Sequence, residues 1–346
     1  VSSDAPGAAL GAAIRRLSSG ASLTAEESAD AFGAVMRGEG TSAQIAALLM
    51  GLRVKGESPE ELAGAARAMR GAMTRLVTEN PGVLVDTCGT GGGAVTTFNI
   101  STAAALLAAG AGVRVAKHGN RSFTSRSGSA DVLEALGIAI EIPVDRMRAI
   151  LDQAGIVFMF APTMHPAMRH VGPVRREMGI GTVMNLVGPL ANPANAMRQV
   201  IGVADPARLD LIAGALRSLG TTHALVVHGA PGMDEISPIG PSIVIEVRDG
   251  VAKRWTLDPA AYGISPGSLE ALAGGEPADN ARLIEAVLRG EGGDSATAAV
   301  LLNAAGAIYV AGLAGHFGSA MDVAREALQS GAGLAALDRL RAAAPR

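Results

Sequence analysis

Residues 82–116 read GVLVDTCGTGGGAVTTFNISTAAALLAAGAGVRVA, and no other stretch restricts the fold as tightly. A short apolar run ends in a loop with glycine at 89, 91, 92 and 93. NISTAAALLAAG then reads as a helix that starts near Asn99 or Ser101 and stops at Gly110. VRVA, from Val113 to Ala116, is the next apolar run. Strand, helix, strand in this order is a βαβ unit, and its crossover forces the two strands to be parallel. Loops that follow parallel strands leave from the same carboxyl edge. The glycine loop and KHGNRSFTSRSGS (117–129) are therefore expected to face one crevice.

The flanks extend this α/β expectation. Before residue 79, three capping boxes start helices: Thr24 with Glu27, Thr41 with Gln44, and Ser58 with Glu61 behind Pro59. They define a small helical unit, which a turn at Asn80-Pro81-Gly82 ends. Further strands are expected at IVFMFA, QVIGVA, HALVVHG and SIVIEV, with a helix over Pro206 to Leu219 and apolar helices from about Ala278 onward. Ala161 to Asn195 carries Gly172-Pro173, Gly188-Pro189 and Asn192-Pro193 and is too punctuated for one element. It reads as a return toward the helical unit, giving a division into residues 1–79 with part of 161–195, and residues 80–346.

The glycine loop suits an anion, because bare backbone brings N–H groups close and a helix N-terminus adds partial positive charge. GTGGGA matches the dinucleotide pattern G-x-G-x-x-A, but that fold wants an acid about 20 residues on. None stands in the 44 residues between Asp86 and Asp131, which leaves only an NADP variant using Arg114 in its place. A P-loop would close with Gly-Lys-Ser or Gly-Lys-Thr, which is absent. With 32 acids in 346 residues, a window of that length should hold about four. It holds Arg114, Lys117, Arg121 and Arg126 instead, with many hydroxyls, a set able to surround several phosphates.

Whole-chain properties exclude other classes. A net charge of -3 and a pI near 6.1 argue against a general nucleic-acid binder. Cys88, the lone cysteine, leaves no disulfide framework or CxxC site, and fits a reducing compartment. VSSDAPGAAL lacks a basic n-region and reads as no signal peptide. Ala298 to Gly315 is long enough to span a membrane, but Asn303 and Tyr309 interrupt it, and a buried helix is expected. His165, His170, His223 and His228 lack i,i+4 spacing and read as structural.

Four ordered motifs, GTGGG…TTFNIST, KHGNRSFTSRSGSADVLEALG, GPVRREMGIGTVMNLVGPLANPA and GMDEISPIG, resemble those of the anthranilate phosphoribosyltransferase family of tryptophan biosynthesis. The resemblance runs the length of the chain. It implies a small N-terminal α-helical domain and a larger α/β domain whose central, mainly parallel sheet is flanked by helices. It also implies a cytoplasmic homodimer with Mg²⁺, acting on phosphoribosyl pyrophosphate (PRPP) and anthranilate, with neither nucleic acid nor membrane as partner. By motif, Gly89, Gly92, Gly93, Thr97, Asn99, Ser101, Thr102, Lys117, Ser125 and Ser129 would contact PRPP. Gly89, His118, Asn120 and Arg175 would address anthranilate, Lys117 and Arg175 being the catalytic pair. Ser101, Asp234 and Glu235 would hold the metal. One departure stands out: the family loop reads GTGGD, and its aspartate is Gly93 here. Two rivals remain, a pyrimidine nucleoside phosphorylase of related fold and a non-catalytic relative binding nucleic acid through Arg121 and Arg126.

Overall fold

The computed structural model describes residues 7–78, 83–93, 95–122 and 126–346. The expected turn at Asn80 to Gly82 and the candidate Ser125 lie outside the described residues.

Four helices open the chain: α1 Ala8–Ser18, α2 Ala25–Met36, α3 Ser42–Lys55 and α4 Pro59–Ala72. All three expected capping boxes form, with the cap oxygen and the N3 side chain exchanging hydrogen bonds. One of them reaches further than a cap. The fully buried Glu61 carboxylate accepts from Ser58 N at 2.8 Å, Leu23 N at 2.8 Å and Lys55 Nζ at 2.9 Å. A buried carboxylate is tolerable only when so fully paired, and this one ties the start of α4 to the α1–α2 linker and the end of α3. Close contact of α2 and α4 needs Gly64, where a Cβ would stand 2.4 Å from Ala25 O and 2.6 Å from Ser28 Cβ.

The α/β part is one seven-stranded sheet. Its strands are β1 Leu84–Gly89, β2 Arg114–Gly119, β3 Ile156–Phe160, β4 Arg198–Gly202, β5 His223–Gly229, β6 Ser242–Arg248 and β7 Val251–Leu257. Spatial order is β3-β2-β1-β4-β5-β6-β7, with the first five parallel and the last two antiparallel. The first six strands match the expected apolar runs to within a few residues. β7 was not anticipated, because VAKRWTL is mostly exposed and shows no apolar run. It pairs through Asp249-Gly250, both at positive φ, as a two-residue hairpin turn requires.

Helix α5, Ile100–Gly110, is the crossover from β1 to β2, and its residues from Thr102 to Ala109 are buried. An apolar helix with alanine on every side suits a site enclosed by other helices. It packs on Asp294–Ala311 and Ala332–Ala343, where a Cβ at Gly110 would come 2.5 Å from Ala332 backbone. Asp294–Ala311 contains most of the run long enough to cross a membrane, and it is two-thirds buried in this core. The other sheet face carries a second core, shared by α1–α4, residues 171–191 and the helix Leu209–Ser218. Residues 161–195 thus run as short helical pieces beneath the helical unit, with Gly172–Met178 touching α3 and Met184–Val187 touching α4.

Gly64→Ala is expected to destabilise the protein by about 1–3 kcal/mol through overpacking against Ala25 and Ser28. Gly71→Ala, in open space on the same helix, should leave stability unchanged or slightly raised. Urea unfolding of the two variants checks this, and equal midpoints would contradict the packing account.

Candidate active site

Parallel register brings the carboxyl ends of β1, β2, β4 and β5 to one edge, with Gly89 directly beside Gly202. There a crevice of about 440 Å³ opens. Gly89, Gly92, Gly93, Thr97, Asn99, Ser101, Thr102, Lys117, His118, Asn120, Ser129, Asp234 and Glu235 all line it. Of the sequence candidates only two are missing from its wall: Ser125, outside the described residues, and Arg175. A larger cavity of about 570 Å³ sits at the opposite sheet edge, among Arg75, Leu84, Arg198 and Thr222, away from every candidate.

The glycines are there because another loop lies across the strand ends. A Cβ at Gly202 would overlap Asp234 O at 1.6 Å, and one at Gly89 would stand 2.4 Å from Asp234 Oδ2. This lets Asp234 Oδ2 accept from Gly91 N at 3.0 Å and Glu235 Oε1 accept from Ser101 N at 3.1 Å. Two carboxylates thereby occupy two backbone donors, one of them in the first turn of α5, where negative charge is favoured. Gly91 and Gly92 take φ of 64° and 77°, which glycine adopts without strain. At Gly93 a Cβ would stand 3.1 Å from Ala204 Cβ, so an aspartate would need a small shift of that neighbour.

Lys117 forms the floor. Its Nζ is buried and donates to Thr87 O at 2.5 Å and Ser101 Oγ at 3.3 Å. Burial pushes its pKa down, while the charges of Asp86, Cys88 and Glu235 oppose that shift. Asp86, equally buried, is pushed up by burial against Lys117 and its hydrogen bonds from Asn192 Nδ2 (2.8 Å) and His118 N (3.1 Å). Glu235 is pushed up to about 8, first by burial and then by Asp234. Thr102 Oγ1 is buried without a hydrogen-bond partner among the described residues. Among the described residues no group of three or more His, Cys, Asp or Glu could hold a metal; the carboxylates in the crevice wall are those of Asp234 and Glu235.

The cationic window resolves differently from the expectation. Of its four bases only Lys117 commits its charge to the crevice. Arg114 pairs with Asp152 at 2.8 Å, and Arg121, although part of the wall, gives its guanidinium to Asp131 (2.8 Å) and Glu134 (2.6 Å). Arg121 also lies 5.7 Å from the Phe160 ring centroid, a cation–π distance. Arg126 is exposed. Arg175, on Gly172–Met178, donates to Asn185 Oδ1 at 3.4 Å, and Asn185 does line the crevice. Burial lowers the Arg175 pKa.

Sequence reasoning missed several supports. His118 Nε2 and His165 Nε2 are 3.1 Å apart, joining β2 to the 161–195 segment. Burial and His165 lower the His118 pKa to about 3, and burial lowers that of His165 to about 4, so both rings are neutral near pH 7. A histidine–carboxylate pair exists too, His223 with Glu246 at 2.9 Å, but it joins β5 to β6 outside the crevice wall. Asn303, which interrupts the apolar run, exchanges hydrogen bonds with Ile236 N and Ile236 O, both 2.9 Å, and so anchors the loop just past Glu235. A polar residue inside an apolar run was its available signal.

Two family models match the chain: glycosyl transferase family, helical bundle domain, over residues 12–73, and glycosyl transferase family, a/b domain, over residues 81–334. An anthranilate phosphoribosyltransferase of Roseiflexus sp. (strain RS-1) is 50% identical over 93% of this chain and 94% of its own. That of Rubrobacter xylanophilus is 49% identical over 94% and 95%. Among solved structures, the anthranilate phosphoribosyltransferase of Thermus thermophilus superposes with TM-score 0.90 at 44% identity, covering 96% of this chain and 98% of that one. The Saccharomyces cerevisiae enzyme in complex with PRPP and Mg gives 0.86 at 28% identity, with 97% and 98% covered.

The histidine pair makes an acid-side prediction. Both imidazoles titrate below the ordinary 6.5 in the folded state, so the unfolded chain binds more protons between about pH 6.5 and 4. Their contribution is complete above that window and is lost as pH falls through it, at up to ~1.4 kcal/mol per pH unit for each histidine. His165→Gln should flatten the decline in urea midpoint between pH 7 and 5 by roughly half of the pair's share. An unchanged slope would refute the assignment.

Proposed function

The chain belongs to the anthranilate phosphoribosyltransferase family, and from that premise we propose how its own residues carry the reaction. The 5-phosphoribosyl group passes from PRPP to the amine of anthranilate, giving N-(5-phosphoribosyl)anthranilate and pyrophosphate, a step of tryptophan biosynthesis. The observation that supports the residue assignment is that the glycine loop, the start of α5, Lys117, Asp234 and Glu235 line one crevice at the carboxyl edge of the sheet.

PRPP lies along Gly89, Gly92, Gly93, Thr97, Asn99, Ser101 and Thr102, with Lys117 and Ser129 on its other side; Ser125, the remaining proposed contact, lies outside the described residues. The unpartnered Thr102 hydroxyl supports this reading. Lys117 stabilises the charge that develops on departing pyrophosphate, an electrostatic role suited to a buried ammonium. Asp234 and Glu235 would hold Mg²⁺ together with Ser101 and substrate oxygens. The pair fits a hard divalent cation, since both carboxylates line the crevice with Ser101 and offer oxygen donors there. When bound, Mg²⁺ supplies neutralisation of phosphate charge.

Anthranilate sits on the side marked by Arg175, whose planar guanidinium matches a carboxylate in bidentate geometry. Asn185 holds that guanidinium, while Asn120, Gly89 and neutral His118 complete the acceptor side. An aromatic amine is uncharged and nucleophilic at pH 7, so attack at ribose C1, with inversion, needs alignment more than a strong base. The proposed division is a helical domain, residues 1–79 with part of 161–195, and an α/β domain, residues 80–346. The proposed assembly is a cytoplasmic homodimer acting on small molecules, with neither nucleic acid nor membrane as partner.

Purified protein mixed with anthranilate, PRPP and Mg²⁺ should consume anthranilate fluorescence saturably, and omission of either substrate should stop it. Phosphorolysis of thymidine or uridine in place of that signal would establish the phosphorylase alternative. Arg175→Ala should raise the KM for anthranilate ~10–100-fold while leaving that for PRPP within about twofold. A uniform effect on both substrates would refute the clamp.

A further inference from the structure

The outer limb of the glycine loop rests on residues 272–275. Phe98 N donates to Leu272 O at 2.9 Å, Thr97 bridges Ala273, and a Cβ at Gly274 would stand 2.5 Å from Thr97 O. Behind this layer is Asn280, in the helix Pro277–Leu288, only 3% exposed and outside the crevice wall. Its Oδ1 accepts from Gly275 N at 2.8 Å, and its Nδ2 donates to Asn99 Oδ1 at 2.9 Å. Asn99 Oδ1 also accepts from Ser127 Oγ at 3.1 Å, and Asn99 Nδ2 donates to Ser127 O at 3.0 Å.

This chain of donors and acceptors has one solution. A backbone N–H only donates, so Gly275 fixes the Asn280 oxygen and turns its NH₂ toward Asn99. The Asn99 oxygen must meet that NH₂. The Asn99 nitrogen must then face the carbonyl of Ser127, which only accepts, and its second hydrogen has no partner among the described residues, on a side chain that belongs to the crevice wall. Asn99 stands at the N-cap of α5, yet its side chain caps none of the helix amides. The orientation comes from a residue 181 positions away.

We infer that Asn280 is a positioning residue for phosphoribosyl transfer, fixing the Asn99 amide so that it meets PRPP as a hydrogen-bond donor. This rests on the reading of Asn99 as a PRPP contact. An aspartate at 280 would keep the bond from Gly275 N but set an acceptor against the Asn99 oxygen, and a reversed Asn99 amide would set that oxygen against Ser127 O instead, so no orientation of Asn99 satisfies both neighbours and its fixed donor is lost. An alanine would remove the constraint, while Ser127 still holds Asn99 from the other side.

The test compares Asn280→Asp, Asn280→Ala, Asn99→Ala and the double variant Asn99→Ala/Asn280→Asp with the wild type, at pH 8.5. KM for both substrates, kcat, and the Kd of PRPP with Mg²⁺ by calorimetry are measured, with thermal unfolding of each protein. Asn280→Asp should raise the KM and Kd for PRPP roughly tenfold and leave the KM for anthranilate unchanged, with Asn280→Ala nearer threefold. That order reverses the one a packing role gives, where truncation is worse than a near-isosteric exchange. On the Asn99→Ala background, Asn280→Asp should add less than about twofold. The inference is overturned if the two effects multiply, or if Asn280→Asp binds PRPP as the wild type does while Asn99→Ala does not. Should Asn99→Ala itself leave PRPP binding unchanged, the Asn99 assignment falls and takes the inference with it. If Asn280→Asp fails to fold, the same cycle with Asn280→Ala decides, and multiplying effects again overturn it.

Discussion

A lysine ammonium buried at the carboxyl edge of a parallel sheet is the feature to which the rest of this molecule must accommodate itself. Burial disfavours charge, so Lys117 is tenable only with Thr87 O against it and the carboxylates of Asp86 and Glu235 nearby. Asp86 in turn needs donors, and takes them from His118 N and Asn192. Each requirement recruits another part of the chain: β1 and β2 for the ammonium and its carbonyl, the 188–195 stretch for Asn192, the loop after β5 for Glu235. The site is therefore a set of linked charge demands more than a collection of side chains on one surface.

Buried asparagines tie that set together. Asn192 donates to Asp86 and Ala116 O while accepting from Ala194 N; Asn303 brackets the peptide of Ile236; Asn280 joins Gly275 to Asn99. A primary amide presents donors and an acceptor together, so one side chain can satisfy the N–H of one strand of chain and the carbonyl of another. It does so without adding charge beside Lys117, Asp234 and Glu235. A carboxylate or ammonium in any of these places would disturb the local balance as well as the geometry.

Much of this was legible in the sequence, for identifiable reasons. The βαβ unit and the three capping boxes depend on neighbours within a few residues, and those formed as expected. The shared crevice followed from parallel register alone. What escaped was pairing at a distance. The acid-free window suggested four cations around one ligand, yet Asp131 and Glu134, just beyond its end, fold back onto Arg121, and Asp152 takes Arg114. β7 escaped because an exposed edge strand carries little apolar pattern. The His118–His165 contact joins segments 47 residues apart and has no local signature.

The segments that join the helical unit to the sheet are themselves paired. Thr74 N donates to Met164 O at 2.8 Å and Leu76 N to Pro193 O at 3.0 Å, so the outgoing chain is bonded to both ends of the returning one. Met164 precedes His165, which meets His118, and Pro193 follows Asn192, which meets Asp86. The elements that present Arg175 and Asn185 are thus registered, through backbone, against the strands that present Lys117 and His118. For a reaction between a neutral amine and an activated sugar, where alignment and charge stabilisation outweigh proton transfer, such registration is the main thing a protein has to supply.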